Sequence, residues 1–164
     1  MQKYGWFVVG ALIASACSTS VPEGESLFTL LPTRATGVDF RNDLEEDIYT
    51  VNNVLSFEYY YNGGGVAIGD INNDGLADLF FTGNTADNQL YLNKGKLRFE
   101  NITASSGILV PKAAFSTGVT MADVNGDGYL DIYVCQGGPD PDPAGRENLL
   151  FINNQDNTFR EAAA

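Results

Sequence analysis

Asp70-Ile-Asn-Asn-Asp-Gly-Leu-Ala-Asp78 and Asp123-Val-Asn-Gly-Asp-Gly-Tyr-Leu-Asp131 are two copies of one pattern, D-x-N-x-D-G-x-x-D. Each lies between short apolar stretches and reads as a turn joining two strands. Positions 1, 3, 5 and 9 supply side-chain oxygen, and the glycine at position 6 lets the backbone turn sharply, a calcium-ligand pattern. The expected ligands are Asp70, Asn72, Asp74, the carbonyl of Leu76 and Asp78 in the first loop. In the second they are Asp123, Asn125, Asp127, the carbonyl of Tyr129 and Asp131. An all-oxygen set suits a hard cation and disfavours zinc or copper, and magnesium demands a stricter octahedron. An EF-hand would need an acidic residue at position 12, where Phe81 and Val134 stand, and helical flanks in place of strands. Three carboxylates in one loop repel each other without a cation, so binding should be coupled to folding. The expected role is structural, stiffening the turn.

The repeat extends beyond the loops. Gly65-Val-Ala-Ile-Gly-Asp70 matches Gly118-Val-Thr-Met-Ala-Asp123 at an offset of 53 residues, and Leu79-Phe-Phe81 matches Ile132-Tyr-Val134. Val66 and Ile68 alternate as in a half-buried strand, as do Val119 and Met121. Leu90-Tyr-Leu-Asn93 matches Leu150-Phe-Ile-Asn153, and Phe99 matches Phe159, now at an offset of 60. The extra residues fall in Gly137–Gly145, which glycine and proline mark as a surface loop. Each unit therefore reads as four short strands: one into the loop, one out, then a hairpin, turning in the first unit at Asn93-Lys-Gly95. Radial repetition of four-stranded sheets is a β-propeller, with a solenoid as the rival. The repeat units span about 63–107 and 116–164. Two units do not close a propeller, so residues 27–164 are expected to be an N-terminal fragment of about two blades, the remaining blades being supplied by a longer chain, with closure by assembly of the short domain as the alternative.

Upstream, Leu27–Leu31 is expected to be a strand stopped by Pro32, and Val38-Asp-Phe40 another short one. Residues 42–53 are polar and acidic and read as a loop with a helical turn. Phe57-Glu-Tyr-Tyr-Tyr61 is strand-like, its aromatics expected to pack against their own sheet rather than form an exposed patch.

The chain has 164 residues, a net charge of -12 and no histidine. Six loop aspartates carry half of that charge, and so acidic a chain disfavours a nucleic-acid partner. Residues 1–16 read as a signal peptide: a weakly basic start, an apolar Trp6–Ile13 too short to span a membrane, and Ala14-Ser15-Ala16 before Cys17. That ending resembles the lipobox of bacterial lipoproteins, although Ala14 stands where leucine is usual. The resemblance implies lipidation of Cys17, with residues 17–26 as a tether, and membrane attachment through that lipid; an ordinary cleaved signal is the alternative. Ser18 after the cysteine favours the bacterial outer membrane, the chain facing the periplasm or the cell surface. Cys135, left without a disulfide partner, is expected to be a small buried hydrophobe.

The loops resemble the FG-GAP or VCBS-type repeats of integrin-like β-propellers. Thr36–Phe40, Tyr61–Gly75, Leu90–Gly95 and Ser116–Gly128 together resemble the opening of bacterial VCBS-repeat lipoproteins related to the ASPIC/UnbV and cartilage-acidic-protein group. The resemblance implies an all-β, calcium-binding, seven-bladed propeller in a secreted or surface-attached protein. The leading functional expectation is a non-catalytic, Ca2+-stabilised, membrane-anchored module that binds a protein or glycan, with Pro139–Pro143 as a contact loop or a mere connection. The alternative is a structural or assembly scaffold. A polysaccharide-active enzyme is disfavoured, because the paired aspartates are committed to the loops and Glu45-Glu46-Asp47 reads as a solvated face. Asn101-Ile-Thr103 matches a glycosylation acceptor that the lipoprotein reading makes incidental.

Overall fold

The structure is a computed structural model and describes residues 27–109, 115–139 and 146–163. The signal peptide, Cys17, the tether and most of the Pro139–Pro143 loop lie outside the described residues. The chain divides into two compact units, Met1–Leu30 and Leu31–Ala164. In the first, the described residues 27–30 form no strand.

The second unit holds two four-stranded antiparallel sheets, each a simple meander. The first contains β1 (Val66–Gly69), β2 (Asp78–Phe81), β3 (Gln89–Asn93) and β4 (Phe99–Asn101). The second contains β5 (Ser116–Ala122), β6 (Asp131–Gln136), β7 (Leu149–Asn153) and β8 (Phe159–Glu161). The expected order of strand, loop, strand and hairpin therefore holds twice. Two partial propeller blades fit this arrangement. Gly69 pairs with Asp78 and Ala122 with Asp131, so the nine-residue loops close the first hairpin of each sheet.

Both sheets contribute to one core. Ala67, Phe80, Leu90 and Leu92 from the first meet Ile132, Val134, Leu149 and Phe151 from the second, with Val119 and Met121 packed at its edge. Burying side chains of this size contributes roughly 1.5–3 kcal/mol each. The two contributing faces are not equivalent under the repeat. The offsets relate Ala67, Phe80 and Leu90 to Thr120, Tyr133 and Leu150, which lie on the far face of the second sheet. Packing is thus head to tail, the heterologous contact that generates rings or open arrays. β1 lies close against β5: a Cβ at Gly65 would sit 2.8 Å from the Thr117 carbonyl oxygen and 3.0 Å from the Val119 nitrogen.

This polarity corrects the expectation for β1. Val66 and Ile68 alternate as expected but are 54% and 67% exposed, whereas the intervening Ala67 is buried. Their equivalents Val119 and Met121 are partly covered because the first sheet packs on them. The face of the first sheet carrying Phe81 and Tyr91 is instead touched by the preceding segment: Phe40 stacks on Phe81 at 4.9 Å, and Tyr91 donates to Asp39 Oδ1 at 2.7 Å.

Four further expectations are corrected. Leu27–Leu31 is not a strand; past Pro32 the chain makes one helical turn, α1 (Thr33–Thr36), ended by Gly37 in the left-handed region. Val38–Phe40 is extended but unpaired in any sheet, and its aromatic residue packs instead. Phe57–Tyr61 is a series of turns. Its side chains divide at a spacing of three, as turns require: Phe57 and Tyr60 pack on Phe115, while Tyr59 and Tyr61 are more than half exposed. A second helical turn, α2 (Thr103–Ser106), follows β4. Cys135 is half-buried and carries a free thiol, less enclosed than expected because it lies on the far face of β6. Among the described residues no helix is long and apolar enough to cross a membrane.

Candidate metal centre

The loops share one hydrogen-bond wiring. At position 1, Asp70 accepts from the Asp74 N–H at Oδ1 (3.1 Å) and from the Gly75 N–H at Oδ2 (2.7 Å). Asp123 likewise accepts from Asp127 (3.1 Å) and Gly128 (2.9 Å), and also from Gly126 (2.7 Å). At position 3, Asn72 and Asn125 accept from the backbone of Asp74 and Asp127 and donate back to their carboxylates, at 2.9 to 3.2 Å. At position 5, Asp74 and Asp127 accept from the N–H of Leu76 (2.8 Å) and Tyr129 (2.9 Å), the residues expected to offer carbonyl ligands. Gly75 and Gly128 have φ of 83° and 88°, a region that L-residues avoid.

Position 9 differs in burial. Asp78 and Asp131 are enclosed at the starts of β2 and β6. Asp78 accepts from the Ile71 N–H (3.0 Å) and the Asn93 N–H (2.7 Å), tying its loop to β3. Asp131 does the same with Val124 (3.0 Å) and Asn153 (2.8 Å), tying its loop to β7. Burial pushes the Asp78 carboxyl above the ordinary aspartate range, helped by the charges of Asp74 and Asp70 and opposed by its two N–H donors. Asp127 is held below that range, chiefly by the Tyr129 N–H against the opposing effect of desolvation, and then by the Gln155 and Asn125 side chains.

The structure therefore places every expected side-chain ligand in or at the end of its loop, with positions 1, 3 and 5 bonded together and position 9 buried below them. It does not converge the carboxylates on one point. Among the described residues no group of three or more His, Cys, Asp or Glu is gathered closely enough to hold a metal. The donor chemistry nonetheless fits a hard cation: each loop carries three carboxylates and an amide oxygen, and neither contains a basic residue.

Sequence reasoning missed the contacts between the loops. Asn73 Nδ2 donates to the Gly128 carbonyl at 3.0 Å, and Asn153 Nδ2 donates to the carbonyls of Ile71 (2.8 Å) and Leu130 (3.0 Å). The recurrence of asparagine at the ends of Leu90–Asn93 and Leu150–Asn153 was the available signal. Away from the loops, a hollow of about 530 Å3 is lined by Asn88, Gln89, Asn101, Thr103 and Ile108 among others. Asn101 in that hollow bonds Gln89 and Thr103. The acidic Glu45–Asp47 segment is engaged locally: Tyr61 donates to Glu46 at 2.8 Å, and Asp47 accepts from the Tyr49 N–H.

Residues 70–134 match the FG-GAP-like repeat family. Over 94 residues the chain is 34% identical to cartilage acidic protein 1 of Xenopus tropicalis and 32% identical to that of Homo sapiens. Each match covers 56% of this chain and 14% of the relative, so the chain aligns with a small part of the length of the curated relatives it matches. The chain carries an FG-GAP-like repeat and, at low identity over part of its length, is homologous to cartilage-acidic-protein-like β-propeller proteins.

Proposed function

We propose that this chain is a non-catalytic β-propeller segment stabilised by one calcium ion in each nine-residue loop, presenting its surface to a protein or glycan. The observation that carries the reading is the shared wiring of two D-x-N-x-D-G-x-x-D loops, down to the buried position-9 aspartate. Asp70, Asn72, Asp74, Asp78 and the Leu76 carbonyl would hold one ion, and Asp123, Asn125, Asp127, Asp131 and the Tyr129 carbonyl the other. Each ion would supply a positive centre linking carboxylates that otherwise repel.

Further blades of a seven-bladed ring, supplied by a longer chain, would cover the far face of the second sheet. The repeat supports this, since Thr120, Tyr133, Leu150 and Ile152 there correspond to Ala67, Phe80, Leu90 and Leu92, which the neighbouring sheet covers. A lipid on Cys17 would hold the module at a bacterial outer membrane. The head-to-tail packing equally favours a scaffold role, in which the blades position another region.

Calorimetric titration with calcium should give two bound ions per chain, and thermal melts should rise in calcium relative to chelator. Absence of both effects would remove the calcium reading. Retention of a protein or glycan by the immobilised chain would separate a binding module from a scaffold. The intact mass of membrane-extracted protein reports any lipid on Cys17 and any further blades.

A further inference from the structure

The two loops face each other through two asparagine side chains. Asn73 reaches from the first loop to the Gly128 carbonyl, beside Tyr129, at 3.0 Å. Asn153 reaches back from β7 to the Ile71 carbonyl, beside Asp70, at 2.8 Å, while its own N–H is held by Asp131. Asn153 is buried, so water does not compete for its bond to Ile71, whereas the Asn73–Gly128 bond is exposed. Main-chain atoms next to the expected ligands of each loop are therefore fixed by the other loop or its sheet.

Position 4 makes the link specific. Asn73 and Gly126 occupy it in the two loops with φ of 58° and 76°. The second loop shows that glycine satisfies this backbone, and asparagine is among the few side chains that tolerate it. What asparagine adds at position 73 is the bond to Gly128.

Resting on the calcium reading, we infer that the two loops bind their cations as a positively coupled pair, with Asn73 and Asn153 as the latch that transmits the coupling. An ordered second loop presents the Gly128 carbonyl in place for Asn73 and holds Asn153 against Ile71, so it preorganises the first loop. By linkage the effect is reciprocal. Its sign separates it from through-space electrostatics, because a cation in one loop repels a cation entering the other.

The test is a double-mutant cycle on the full chain, read by calcium titration. Asp127→Asn disables the second loop; Asn73→Gly removes the latch bond and retains the backbone conformation. In the wild-type background, Asp127→Asn should weaken calcium binding at the first loop by about fivefold or more. In the Asn73→Gly background, where only the Asn153 link remains, the same change should weaken that affinity by distinctly less. Equal weakening in both backgrounds would overturn the latch, and no weakening in either would overturn the coupling, both leaving the calcium reading intact. A wild-type chain that takes up no calcium would remove the calcium reading itself. Melting in chelator guards against a merely structural role: Asn73→Gly should lower the midpoint less there than in calcium, and an equal loss in both would refute the inference.

Discussion

Asp78 offers the sharpest separation of a structural carboxylate from a purely metal-binding one. It is fully buried, and its two oxygens take N–H groups from different segments, Ile71 in the loop and Asn93 in β3. Asp78→Ala leaves both donors without that acceptor. At about 1–3 kcal/mol for each buried donor left unpaired, the loss is roughly 2–6 kcal/mol with no metal involved. That is a large fraction of the ~5–15 kcal/mol that keeps a domain folded. Asp78→Asn retains one acceptor oxygen and turns an N–H2 toward the other donor, so it should cost about half as much. Asp74 is exposed and accepts a single backbone N–H through Oδ1, from Leu76, so Asp74→Ala should cost only about 0.5–1.5 kcal/mol under the same conditions. Urea denaturation in chelator, followed by tyrosine fluorescence, gives all three values. If Asp78→Ala and Asp74→Ala were equally destabilising in chelator, the buried stitch between loop and β3 would be wrong.

Three other outcomes follow from the geometry. Asp74→Ala and Asp127→Ala should weaken calcium binding and lower the melting midpoint more in calcium than in chelator; equal losses in both media would sink their assignment as ligands. The Tyr91 hydroxyl is pushed up to about 12, first by burial and then by its bond to Asp39. Because the fold favours the neutral phenol, its contribution is complete below pH 10 and lost as pH rises through about 12. Spectrophotometric titration should show a step near 12, with stability falling across that window, and Tyr91→Phe should remove that step. Gly65→Ala should cost about 1–3 kcal/mol, because the new methyl meets rigid β5 backbone rather than a yielding side chain. An unchanged urea midpoint would mean that the two inner strands can separate freely.

The loops and their flanking strands were legible because their chemistry is local. The aspartate spacing, the glycine at position 6 and alternation over four residues are all fixed within about fifteen residues of chain. Burial along β1 was not legible in that way. Alternation says which residues share a face, but Val66 and Val119 sit in the same pattern and differ in exposure because only Val119 has a sheet packed on it. Phe57–Tyr61 misled for a related reason: aromatic residues favour strands when they pack across a sheet, and here Phe57 and Tyr60 reach Phe115 from a turn instead.

Asn93 and Asn153 carry this reasoning one step further. Both end the third strand of their sheets, and both donate to the equivalent carbonyl of their own sheet, Ala77 and Leu130. Asn153 has a second acceptor, Ile71, only because the first sheet's loop lies beside it. Among the described residues no preceding loop stands beside Asn93, and its amide is exposed where that of Asn153 is buried. The asparagine is thus a repeat feature whose full bonding requires a preceding blade. In a ring, each blade's loop would be tied by the asparagine of the next, joining the nine-residue loops into a chain of linked turns.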